Sequence, residues 1–164
     1  MSVKAQGTQF NKTVTDFLVN ADFGAFSNAY LSVILRGDST RHLFITGFSW
    51  VWTVGVAADI NANHFSNVFL ADNLSISPET TTVIFPDINS KLQFAYGQTM
   101  PQFTNSLDKQ LLAPFRLQDG VNYSLIATIQ IAAAIAGTIT GRLTVFGYEE
   151  IEGQQVKSFY AKSR

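Results

Sequence analysis

The stretch His42-Leu-Phe-Ile-Thr-Gly-Phe-Ser-Trp-Val-Trp-Thr-Val-Gly-Val-Ala57 decides the fold. From Phe44 onward, Phe44, Phe48, Trp50, Trp52, Val54 and Val56 take the even positions with only Thr46 polar among them. Gly47, Ser49, Thr53, Gly55 and Ala57 take odd ones. Side chains alternate sides along an extended chain, so one face is heavy and apolar and the other mostly small. The segment is therefore a strand. Its length predicts a bend or bulge near Gly47 or Gly55, where a missing Cβ tolerates unusual dihedrals.

Upstream, Ala29, Leu31, Val33 and Leu35 alternate with Tyr30, Ser32 and Ile34, and Gly37-Asp-Ser-Thr40 supplies turn residues. This predicts an antiparallel hairpin with the stretch above. Downstream, Val68 to Ala71, Thr81 to Phe85 and Lys91 to Tyr96 are short β-prone runs punctuated by Asn73, Pro78, Pro86 and Asn89. Gly97 to Pro114 holds Pro101, Asn105, Asp108 and Pro114 without a steady period. It reads as a long exposed loop with one helical turn at Ser106 to Leu112, a kind of segment that carries contacts.

The C-terminal third is the most regular. Asp119-Gly120 accepts the positive φ of a tight hairpin turn after Phe115 to Gln118. Val121, Tyr123, Leu125, Ala127, Ile129 and Ile131 then alternate with polar residues. Ala132 to Gly137 is a connection. Ile139, Leu143 and Val145 alternate with threonines and Arg142, and Val156 to Tyr160 is a last short strand. The expected fold is all-β: one antiparallel β-sandwich domain over residues 1–164, of jelly-roll type, with eight or nine strands and short mobile ends.

Composition narrows the function. Charged residues are only 14% of the chain against a usual ~25%, and the net charge is -1, so no basic face offers itself to nucleic acid. With no cysteine, disulfides and thiolate metal sites are excluded. No secretory signal is read at the N-terminus. The uncharged run Gly120 to Gly141 is interrupted by Asn122, Ser124, Thr128 and Gln130 and alternates like a strand, so no transmembrane segment is expected.

No catalytic, cofactor-binding or metal-binding residues are assigned. His42 and His64 stand in no ligand spacing, and no G-x-S-x-G elbow exists. Asp59-Ile-Asn61-Ala-Asn63 begins like a calcium loop, but His64 replaces the required glycine and Leu70 the closing glutamate. Glu149, Glu150 and Glu152 read as a solvated strand end rather than a paired-carboxylate site. The 14 Phe, 2 Trp and 5 Tyr exceed what one small core obviously needs. Candidate interaction residues are Trp50, Trp52, Met100, Phe103, Leu107 and Tyr148. Trp50 and Trp52 serve as core, as anchors against a neighbouring subunit, or as a stacking platform for sugars.

Pro114-Phe-Arg-Leu-Gln-Asp-Gly-Val-Asn-Tyr-Ser-Leu125 and Gly137-Thr-Ile-Thr-Gly-Arg-Leu-Thr-Val-Phe-Gly-Tyr-Glu149 resemble the closing strands of small β-sandwich structural proteins of bacteriophage virions. The resemblance covers about twenty-five residues. It implies a jelly roll that assembles, as capsid, penton, spike or decoration proteins do. The expectation is a noncatalytic virion subunit, assembled in the host cytoplasm. Its partners would be copies of itself and other virion proteins. A carbohydrate-binding module using exposed aromatics is the alternative, with a glycan as its ligand.

Overall fold

The computed structural model describes residues 8–19, 28–72 and 92–151. The strands expected at Thr81 to Phe85 and Val156 to Tyr160, and the terminal ends, lie outside the described residues. Eight strands are present among those described: β1 (Thr8–Val19), β2 (Asn28–Arg36), β3 (Arg41–Val54), β4 (Asn61–Asp72), β5 (Leu92–Met100), β6 (Thr104–Arg116), β7 (Asn122–Gln130) and β8 (Ile139–Ile151). They form two four-stranded antiparallel sheets, in the orders β1-β8-β3-β6 and β2-β7-β4-β5. The expected all-β sandwich is thus present. Its pairing is nested, first strand with last and each successive strand with the next from the other end.

Nesting overturns the two predicted hairpins. β2 and β3 are consecutive but lie in different sheets, as do β6 and β7. Gly37 to Thr40 and Leu117 to Val121 are therefore corners that carry the chain from one sheet to the other. The two corners bind each other: Gly37 donates to the Val121 carbonyl and Gly120 to the Gly37 carbonyl, each at 3.0 Å. Gly120 does adopt the positive φ its sequence announced, at 75°. The turn chemistry is right, but it serves a crossing.

Gly97 to Pro114 also departs from expectation. It is no helical loop but the end of β5, a turn at Pro101 to Phe103 and most of β6. β6 pairs on one side only, with β3, which is where a sheet tolerates Pro114.

The core lies between the sheets. β3 contributes Phe48, Trp50, Trp52 and Val54 to it, facing Leu31, Val33, Val68, Leu70, Leu125, Ala127 and Ile129 of the other sheet. The predicted bulge is at Thr46. β3 advances from Ile45 to Gly47 while β8 advances one residue, from Gly147 to Phe146. One extra residue exchanges the two faces of a strand. Ile45 therefore points inward before the bulge and Phe48 after it, and Phe44 lies on the outer face instead of joining Phe48 and Trp50. Val56 is exposed beyond the strand end.

One polar thread crosses this core. The Trp50 indole donates to Ser66 Oγ at 2.7 Å, and Ser66 donates to the Thr128 carbonyl at 2.7 Å. A buried N–H left without an acceptor costs about 1–3 kcal/mol, so Ser66 is what lets a tryptophan point across the sandwich. The second sheet carries a further buried layer: Phe69, Ala71 and Ile126 face away from the inter-sheet core yet are also enclosed.

Candidate functional site

Sequence alone put interaction at six residues, and the fold divides them. Trp50, Trp52 and Met100 are completely enclosed and Leu107 is buried with them. Stacked on each other with ring centroids 5.7 Å apart, the two indoles fill the core and present no face to a sugar or a subunit. Phe103 stays about half exposed, in the β5–β6 turn. Tyr148 is half-buried and stacks on Phe44 at 4.8 Å, on the outer face of the first sheet. Partial burial, with Glu150 nearby, raises its phenol above the ordinary range.

That outer face is ordered by the registers. Asn11, Phe146, Gly47 and Gln110 are cross-strand neighbours in one row, and Thr13, Thr144, Ser49 and Asp108 form the next. Tyr148 and Phe44 stand in the row on the other side. Gly47 puts no side chain outward, and a Cβ there would collide with the Lys109 carbonyl of β6. A trough of about 610 Å³ results, lined by Thr46, Gly47, Ser49, Asp108, Gln110 and Phe146 among others. β6 leaves β3 at Gln110 and rejoins it at Phe115, so Leu111 to Pro114 bow away from the sheet and Leu112 stands fully in solvent.

The two ends of the sandwich differ sharply. At one end meet residues 55–60, 101–103 and 131–138, whose only charged residue is Asp59. Val54 donates to the Phe103 carbonyl and Gly55 to the Thr138 carbonyl, both at 2.8 Å, which ties the three connections together. Asp59 is buried, and its carboxylate accepts the N–H groups of Ala136 and Gly137 at 2.7 and 2.8 Å. It is a loop clasp and not the first ligand of a calcium site. His64, also buried, accepts the Ala132 N–H on Nδ1 at 3.0 Å. Burial holds its imidazole below the ordinary value, with Asp59 opposing. What remains exposed in these three connections is uncharged and mostly apolar: Gly55, Val56, Ala57, Ala58, Pro101, Phe103, Ala133, Ala134 and Ala136, with Gln102 and Thr138 as the polar members.

At the opposite end, Arg41 faces Glu149 at 3.9 Å, and Arg116 lies 3.6 Å from Asp119 while donating to His42 Nδ1 at 3.0 Å. Asp38 accepts from both the hydroxyl and the N–H of Thr40, bonds that hold its carboxyl below the usual range. Sequence reasoning missed both the trough and the uncharged end. The trough joins residues from three distant segments, which no single stretch of sequence shows together. Of the uncharged end, only the Ala132 to Gly137 connection was read as such from sequence; Pro101 to Phe103 fell within the expected long loop.

Among the described residues, no three His, Cys, Asp or Glu side chains gather as a metal site would need. Among the same residues, no helix is long and apolar enough to cross a membrane. No family model matches the chain, and no curated protein is similar to it.

Proposed function

We propose that this chain is a noncatalytic structural subunit of a bacteriophage virion, a capsid, penton, spike or decoration protein that packs against copies of itself or other virion proteins. The nested strand order supports reading the sandwich as a jelly roll, the double Greek key of many viral capsid and lectin domains. A fold hosts many functions, so the weight falls on the surface.

The observation that carries the reading is the uncharged end. Among the described residues, three connections converge there, their one carboxylate is turned inward onto backbone N–H groups, and Val56 and Phe103 are left outward. Interface cores lose charge and keep aromatics in this way, and a monomer gains nothing from it. Closed cyclic symmetry is the expected form of such an assembly, with the particle built in the host cytoplasm. The alternative, a carbohydrate-binding module stacking sugars on Trp50 or Trp52, loses those two residues to the core.

Light scattering across a concentration series tests the proposal. A mass that rises in whole multiples of 18.0 kDa is expected, and a particle that stays at 18.0 kDa at high concentration, alone and with virion extracts, overturns it.

A further inference from the structure

We infer that the trough on the outer face of the first sheet binds a neutral pyranose sugar, with Phe146 as its stacking face and Asp108, Gln110 and Ser49 as its polar contacts. This goes beyond the assembly reading and uses none of the uncharged end.

The register builds the site. Phe146 and Gln110 flank Gly47 in one row, two strand spacings apart, or roughly 9.5 Å between backbones. A glycine between them leaves a floor of bare backbone where any other residue would fill the gap. The next row, about 7 Å along the strands, brings Ser49 and Asp108 to the end of that floor. Phe146 is 42% exposed, although it stands in the middle of a sheet, so its ring is available to the C–H face of a sugar.

The polar groups are available too. Asp108, Gln110, Ser49 and Thr46 make no side-chain hydrogen bond among the described residues, while Thr13 and Thr144 beside them are paired at 2.9 Å. A carboxylate, an amide and two hydroxyls around one aromatic ring provide acceptors and donors that match the vicinal hydroxyls of a sugar.

Charge decides between sugar and anion. Lys109 borders the trough, but its ammonium is turned away over the Tyr96 ring at 5.3 Å from the centroid. Arg142 lies one row beyond Ser49, outside the lining. Among the described residues, Asp108 is then the only charged side chain lining the trough that is not turned elsewhere, which disfavours sialic or uronic acids and phosphate.

Saturation-transfer NMR with maltose, cellobiose, lactose and chitobiose tests this on the full chain, whatever its oligomeric state. Transfer to the ring protons of at least one sugar is expected. Phe146→Ala and Asp108→Asn, both at exposed positions, are expected to weaken that binding about 10-fold each. Phe146→Trp should keep it and add a sugar-dependent emission change that the enclosed Trp50 and Trp52 cannot give. Absence of transfer from all four sugars, or transfer undiminished in both weakened variants, overturns the inference. So does a Phe146→Ala variant that lowers the assembled mass without any sugar signal, because the trough is then a contact between copies. The assembly reading fails separately, on the mass of the unsubstituted chain.

Discussion

The two ends of the sandwich solve the same problem by opposite means. Each must fix several connections that leave the sheets. The charged end does it with exposed pairs, Arg41 with Glu149 and Arg116 with Asp119, helped by His42. The uncharged end does it with two buried side chains, Asp59 and His64, bonded to the backbone of the β7–β8 connection. Exposed pairs contribute little because water and salt compete with them. Buried acceptors contribute more, since the Asp59 carboxylate and the His64 ring would otherwise be enclosed without partners. The difference also concerns the outside. Among the described residues, turning Asp59 and His64 inward leaves that end without an exposed charge.

Four measurements would break or sharpen that contrast. The largest effect belongs to Asp59→Ala, which orphans the N–H groups of Ala136 and Gly137. About 3 kcal/mol should be lost in urea unfolding, and a cost below ~1 kcal/mol would deny the carboxylate its role. Next come Val56→Asp and Phe103→Asp, which put charge on the apolar end. Each is expected to weaken self-association by about 2 kcal/mol in sedimentation equilibrium, with little change in monomer stability.

Third is pH. The folded His64 ring sits below its ordinary value of 6.5, so above that value folded and unfolded chains both hold it neutral. As pH falls through 6.5 the unfolded chain takes up its proton first. The urea midpoint should therefore decline on acidification, and His64→Gln should flatten that part of the curve. The smallest effect is at the charged end. Arg116→Ala should cost under about 1 kcal/mol at low salt and nothing measurable at high salt. If it proved as costly as Asp59→Ala, the contrast between the ends would vanish.

β2, β3, β7 and β8 were legible from two-residue alternation, whereas β1 was not read at all and only Val68 to Ala71 of β4 was. The length of β3 also announced a bulge near Gly47 or Gly55, and it lies beside the first of these, between Ile45 and Gly47. Strand partners were not legible. Gly37 to Thr40 and Asp119-Gly120 have the composition of hairpin turns, and nothing local distinguishes a turn within a sheet from a corner between sheets. β6 was missed because Pro101, Asn105, Asp108 and Pro114 interrupt its alternation, an irregularity that a strand with one partner tolerates. Trp50 and Trp52 were readable as core from their shared face, but the Ser66 acceptor of the Trp50 indole lies in another strand, and the buried Trp52 indole N–H has no acceptor among the described residues. The trough depends on β8 and β6 flanking Gly47, a fact of register that no single segment contains.

The nested pairing also sets a schedule for synthesis. Thr8 meets Glu149, and β8 is inserted between β1 and β3 rather than added at an edge. Until residues 139–151 leave the ribosome, the first sheet has an open slot flanked by strands already made, with the backbone edges of β1 and β3 unpaired on either side of it. A β8 from a second nascent chain fits that slot as well as the protein's own, so crowded polysomes should favour strand-exchanged pairs, and slower translation should reduce them.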